Sequence, residues 1–261
     1  MKLLYGALTT IFYPLIIIII FFRRILNKED SIRYKEKLFP SKFDIKRSKN
    51  LKLIWFHAAS LGELKSIIPI IEEFNKTRND LEFLITSVTL SSGKLAKEEL
   101  KKFNNVQHRF FPVDVPFVIK QFILLWKPSA IFLVDSEIWP NLIFIANDKK
   151  VPIAILNARI TRKTFNKWKI ISKTAKSIFG LFGLCLSSNL ETEKFLKEFN
   201  AKNTHFIGNL KLCEKVKDIA NHQKNNNYLT TKKFWVAVST HEGEEHFCLN
   251  THIELKKNLN D

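Results

Sequence analysis

Between residues 51 and 209 short apolar runs alternate with stretches in which apolar residues recur at helical spacing, and few folds accept such an order. Strands are expected near 51–57, 81–86, 108–113, 130–135, 153–158, 183–188 and 205–209, with helices near 63–75, 91–103, 116–126, 139–149, 161–181 and 190–199. Strand and helix in succession with short gaps imply parallel strands joined by right-handed crossovers. The expected fold class is therefore α/β, a Rossmann-like parallel sheet covered by helices on both faces. Pro116, Pro128, Pro140 and Pro152 fall at helix starts or in the loops after helices, and Gly62, Gly93 and Gly208 fall in turns, as this division requires.

An open sheet of this kind binds ligands in the crevice at the carboxyl ends of its strands, so polar residues that follow strands are the candidates. Trp55 to Glu63 turns a strand into a helix and leaves Glu63 in the first helical turn, with Ser60 and Gly62 in the bend. Glu63 reads either as a substrate-facing carboxylate or as an acid complementing the helix dipole, and spacing leaves both open. Val134 to Asn141 places Asp135 and Glu137 at a second strand end, two carboxylates flanking one residue. In the plainer reading Ser136 or Glu137 caps the helix that Pro140 starts. Gly208 to Lys211 ends a third strand in a lysine, and Ser239 to Glu245 opens a further helix with hydroxyls and free N–H groups suited to phosphate, unless Thr240 simply caps it.

The N-terminus has another character. Leu3 to Phe22 is a run of twenty residues without a charge, about 30 Å as a helix, which is enough to cross a bilayer. Only Lys2 precedes it, whereas eleven Lys or Arg against four acids lie between Arg23 and Lys52, so an uncleaved anchor with the body on the cytoplasmic side is expected. That belt, in a chain of net charge +17, would face the headgroups of an anionic leaflet. The domain reading is an anchor over 1–22, a basic juxtamembrane segment over 23–50, the sheet domain over 51–212, a polar linker over 213–233, and from 234 the opening strand and helix of a second domain, expected to be incomplete at 261. No G-x-G-x-x-G or G-x-x-x-x-G-K-[ST] occurs, position 245 is Glu where H-E-x-x-H needs His, and Cys185, Cys213 and Cys248 match neither a zinc site nor a disulfide framework. Nicotinamide, ATP, metal and nucleic-acid readings are set aside.

Taken together, Ile32-Arg33-Tyr34-Lys35-Glu36-Lys37-Leu38, Ser60-Leu61-Gly62-Glu63, Glu137-Ile138-Trp139-Pro140-Asn141, Leu156-Asn157-Ala158-Arg159, Gly208-Asn209-Leu210-Lys211 and Ser239-Thr240-His241-Glu242-Gly243-Glu244-Glu245 resemble the bacterial 3-deoxy-D-manno-octulosonic acid (Kdo) transferases. The resemblance implies the N-terminal half of a two-Rossmann-domain (GT-B) inverting glycosyltransferase, moving Kdo from CMP-Kdo to a lipid A precursor, lipid IVA, in lipopolysaccharide assembly, without metal or other cofactor. By the same resemblance Glu63 matches the catalytic base, Lys211 a transition-state stabiliser, and Asp135 a second stabiliser that is usually Glu. Ser60, Gly62, Glu137, Asn141, Arg159, Ser239, Thr240, Glu242 and Gly243 match substrate-binding positions. Family members continue well over a hundred residues further, so residues 1–261 by themselves are expected to fold through the sheet and to transfer no Kdo. The alternative is an inactive membrane-tethered fragment that lacks the donor domain.

Overall fold

A parallel strand has to be buried on both faces, and the β-branched and aromatic runs of this chain meet that demand. The computed structural model describes residues 2–45, 47–48, 50–213 and 234–258. It divides into two units, Met1–Glu214 and Lys215–Asp261. The linker expected over 213–233 lies outside the described residues except for Cys213.

In the first unit β1 (Lys52–His57), β2 (Leu81–Ser87), β3 (Val106–Phe110), β4 (Ala130–Val134), β5 (Ile153–Ala158), β6 (Leu184–Ser187) and β7 (Thr204–Phe206) form one sheet of order β3-β2-β1-β4-β5-β6-β7, with every pairing parallel. The crossover helices are α3 (Leu61–Thr77), α4 (Leu90–Glu99), α5 (Pro116–Trp126), α6 (Pro140–Asp148), the pair α7 (Arg162–Ile170) and α8 (Ser172–Phe179), and α9 (Leu190–Glu198). Ahead of them stand α1 (Lys2–Ile11) and α2 (Tyr13–Ile25). Winding reverses between β1 and β4, so these two strands border the switch point at which such sheets open a crevice.

Side-chain alternation along the strands builds two cores. Leu53, Trp55, Leu84, Ile131, Leu133, Ile153 and Ile155 pack with α5, α6, α8 and α9 on one face. Phe56, Phe83, Ile85, Val134 and Leu156 pack with α3 and α4 on the other. The period-two rule thus assigns each strand residue a side. His57, in phase with Leu53 and Trp55, falls on the α5/α6 side, although its neighbour across the turn, Glu63, belongs to a helix on the opposite face.

Several elements differ from the sequence reading. β3 ends at Phe110 rather than continuing to 113, because Pro112 has no N–H and the Val113 N–H donates to Lys37 O. β7 stops at Phe206, ahead of Gly208 at φ +83°. The helix expected over 161–181 breaks at Ile171, which leaves helical dihedrals. Above all, the expected single membrane helix is two helices bent by 54°. Pro14 withdraws a donor at the second residue of α2, and the Thr9 and Thr10 hydroxyls donate back to carbonyls one turn earlier, both of which bend helices. Among the described residues no single helix is long and apolar enough to cross a membrane, and only the bent pair together reaches that length.

Helix α1 is also fastened to the sheet domain. Tyr5 Oη donates to Asp114, Asn141 Nδ2 donates to Thr9 Oγ1 at 3.0 Å, and buried Gly6 faces Pro116 so closely that a Cβ would meet its ring at 3.2 Å. In the second unit α10 (Glu244–Asn258) forms where a helix was expected, but Phe234 to Val238 are not a strand. They are exposed, with Val236 at 69% and Val238 at 78%, and among the described residues of this unit no strand stands beside them to complete a ladder.

Candidate active site

The sequence Ser60-Leu61-Gly62-Glu63 has the spacing of a capping box, and the turn after β1 folds as a variant of one, in which the carboxylate reaches back to the N–H of Ala59, one residue ahead of the N-cap. Ser60 is the N-cap of α3 and accepts the Glu63 N–H, while its hydroxyl donates to Glu63 Oε1 at 2.7 Å and the Ala59 N–H donates to Oε2 at 2.8 Å. Each carboxylate oxygen keeps a lone pair for another partner. Burial pushes the Glu63 carboxyl above its ordinary value; the Ser60 and Ala59 hydrogen bonds oppose this, and the charges of Glu137 and Asp135 add to it. A nearly buried carboxylate whose proton affinity is raised, at the mouth of the β1/β4 crevice, is suited to accept a proton.

Asp135 follows β4 directly and sits at φ +64°, a left-handed conformation that Asp tolerates better than most residues. Its Oδ2 accepts from Lys211 Nζ at 2.9 Å. Lys211 reaches it because the short 3₁₀ turn Leu210–Cys213 is tied down by Asn157, whose buried Oδ1 accepts the Leu210 N–H at 2.9 Å. The lysine stem crosses the first turn of α3, with Lys211 Cε 3.8 Å from where a Cβ on Gly62 would stand. Tertiary structure therefore gathers Glu63, Asp135, Glu137 and Lys211 on one edge from three separate segments.

Glu137 does not cap α6, and neither does Ser136, whose hydroxyl donates to Arg159 O at 2.7 Å. Instead Glu137 Oε2 accepts from Trp139 Nε1 at 2.8 Å and lies 3.5 Å from His57 Nε2. The cap of α6 comes from Asp114, whose carboxylate accepts the N–H groups of Asn141 and Leu142. Asn141 is buried and clamps α1 to the sheet domain, its amide donors going to Asp114 O and Thr9 Oγ1. Arg159 is exposed on the loop after β5.

Ser239, Thr240, Glu242 and Gly243 lie in the second unit. There the turn satisfies itself, with Thr240 Oγ1 donating to Glu245 Oε1 at 2.9 Å and the His241 N–H donating to Glu244 Oε2 at 2.8 Å. Carboxylates thus occupy donors that were expected to face a phosphate. Among the described residues no three His, Cys, Asp or Glu side chains are gathered as a metal site requires. Sequence reasoning passed over His57, Asn157 and Asp114. The signal available was positional: His57 ends β1, Asn157 lies one residue from the end of β5, and Asp114 stands two residues before the proline that starts α5.

Comparison with known proteins bears on this arrangement. Residues 32–213 match the family model of the 3-deoxy-D-manno-octulosonic-acid transferase (kdotransferase) N-terminal region. The chain is 34% identical over 97% of its length to an Arabidopsis thaliana protein named "Probable 3-deoxy-D-manno-octulosonic acid transferase, mitochondrial", covering 57% of that protein. It is 32% identical over its whole length to the 3-deoxy-D-manno-octulosonic acid transferase of Rickettsia bellii, covering 62% of it. It therefore spans about three fifths of the length of such relatives. Among solved structures, the S. aureus MnaA–UDP co-structure superposes with a TM-score of 0.50 at 14% identity, over 70% of this chain and 52% of that one, which places the two in one fold. With the match running across the whole sheet and through the turns that carry Glu63, Asp135 and Lys211, this chain belongs to the 3-deoxy-D-manno-octulosonic acid transferase family.

Proposed function

We propose that this chain supplies the acceptor half of a GT-B glycosyltransferase that moves Kdo from CMP-Kdo to a lipid A precursor such as lipid IVA, with inversion and without a metal or other cofactor. The observation that carries the reading is the juxtaposition, at the β1/β4 switch point, of a buried carboxylate of raised proton affinity and a lysine–aspartate pair.

In this reading Glu63 takes the proton from the acceptor hydroxyl as its oxygen attacks the anomeric carbon of Kdo, and the bond from that carbon to the CMP phosphate breaks with its electron pair leaving on CMP. Lys211 offsets the charge that grows on the departing phosphate, held in place by Asp135. The turn from Ser239 to Gly243 is assigned to phosphate, which has to displace Glu244 or Glu245 from its donors. Work takes place at the cytoplasmic face of an inner membrane, where the apolar surfaces of α1 and α2 meet anionic lipids.

The test joins residues 1–212 to the C-terminal remainder of the Rickettsia bellii relative and measures transfer of Kdo from CMP-Kdo to lipid IVA, beside the 261-residue chain alone. Acceptor-dependent transfer by the joined protein, lost in Glu63→Gln, is the expected result; a folded joined protein that releases no CMP overturns the reading.

A further inference from the structure

His57 is fully buried at the end of β1, and its Nε2 is the one buried side-chain nitrogen or oxygen among the described residues that has no hydrogen-bond partner. Buried polar atoms rarely stay unpaired, since each costs its full desolvation. The ring is clamped: it stacks on Phe111 with centroids 3.8 Å apart, meets Trp139 edge-on at 6.1 Å, and its Nδ1 lies 3.0 Å from Thr86 Oγ1 and 3.2 Å from Thr86 O. Nε2 points at Glu137 Oε2, 3.5 Å away. Of the described side chains in polar or ring contact with the imidazole, Thr86 from β2, Phe111 from the loop after β3 and Trp139 from the loop before α6 are neutral, and Glu137 alone is acidic.

Protonation of the ring follows from these partners. On the Nδ1 side either tautomer finds a partner, since the Thr86 hydroxyl at 3.0 Å can donate or accept and the Thr86 carbonyl at 3.2 Å accepts. The Nε2 side decides it: Glu137 Oε2, 3.5 Å away, can only accept, so the neutral ring is favoured with its proton on Nε2. A doubly protonated ring also carries a proton there. Only the remaining tautomer would set an Nε2 lone pair against a carboxylate.

We propose that His57 is a positioning residue of the crevice, its Nε2–H donating to Glu137 and fixing that carboxylate, together with Trp139 Nε1–H, at the mouth beside Glu63 and Asp135. The 3.5 Å separation closes to a hydrogen bond with a small turn of the partly exposed Glu137 side chain. What Glu137 does for a ligand rests on the function proposed above; the hydrogen bond does not.

Nitrogen-15 NMR of the histidine rings in the 261-residue chain tests it. The expected spectrum shows His57 Nε2 protonated at neutral pH, and Glu137→Gln, which leaves the packing of the ring untouched, moves the Nε2–H proton resonance upfield, as replacing a carboxylate acceptor by a neutral amide weakens the hydrogen bond. Glu63→Gln moves it less. A bare Nε2, or an Nε2–H resonance that Glu137→Gln leaves in place, overturns the proposal. In the joined protein His57→Gln, which retains an N–H donor, keeps the transfer rate within about threefold and His57→Leu lowers it about tenfold or more. An NMR response in a joined protein without transfer refutes the function and spares the hydrogen bond. Transfer without the NMR response does the reverse.

Discussion

Glu63 closes the capping box of α3 and stands at the mouth of the crevice with the same carboxylate, so substitutions have to separate the two tasks. Glu63→Gln keeps an oxygen for the Ala59 N–H and loses the base, and in the joined protein it is expected to lower transfer about a hundredfold or more while the unfolding midpoint moves little. Ser60→Ala removes the cap and one donor to the carboxylate, costing about 1 kcal/mol of stability in a denaturant titration. His108 gives a second residue-scale test. Burial, then the Arg33 and Arg109 guanidinium groups, hold its imidazole down to about 3, and Arg33 Nη2 donates to the Nδ1 lone pair that protonation would fill. With the folded value below the ordinary 6.5, this histidine contributes stability that is complete above pH 6.5 and is lost as pH falls toward 3. Denaturation at pH 7 and at pH 4.5 is expected to show His108→Gln losing less stability between the two than the unsubstituted chain.

At the scale of elements, Asp114 joins three of them: it caps α6, takes the Tyr5 hydroxyl of α1, and precedes α5. Burial raises its carboxyl to about 6, against the hydrogen bonds that pull the other way. Because the folded value is raised, the associated stability is present below the ordinary 3.8 and is lost as pH rises through 6. Asp114→Asn is therefore expected to be less stable by roughly 1–3 kcal/mol at pH 7, through the mismatched amide at a helix cap. The gap to the unsubstituted chain should widen as pH falls from 7 toward 4, which urea unfolding at the two pH values checks. The strap before β1 works similarly. Arg33 and Glu36 pin β3 through His108 and the Phe110 N–H, while Lys37, paired with Glu29, donates to Val88 O.

For the whole molecule, those pairs change the meaning of the basic belt. Arg23, Arg33, Lys37 and Arg47 are engaged with Glu29, Glu36 and Glu82, whereas Lys28, Lys35 and Lys42 form no ion pair among the described residues. Fewer cations than the composition suggests are left to meet lipid headgroups. The apolar surface is more direct: Leu3, Ile11, Phe12 and Phe22 are each more than half exposed along the bent pair. The 261-residue chain is expected to sediment with vesicles rich in anionic lipid. Leu8→Asn with Ile11→Asn should reduce the bound fraction severalfold, and added salt should reduce it less. Equal binding by the substituted chain would show that this face does not meet the bilayer.

The periodicity of apolar residues determined the class of the fold, because a strand buried on both faces and a helix with one apolar stripe leave different spacings that no partner can alter. It placed the polar strand ends as well, since in a parallel sheet all carboxyl ends share one edge, and so Glu63, Asp135 and Lys211 were legible as candidates before their distances were known. The tertiary structure decided what depends on which side chain completes another's valence. Asp114 caps a helix 26 residues on; Asn141 turned inward to serve α1, Asn157 seated Lys211, and His57 came to face Glu137 without a partner. It also bent the N-terminal helix and fastened it to the sheet, where the uncharged run read as one spanning helix. Hydrogen bonds and ion pairs act over a few ångströms between residues far apart in sequence, and local spacing carries no record of them.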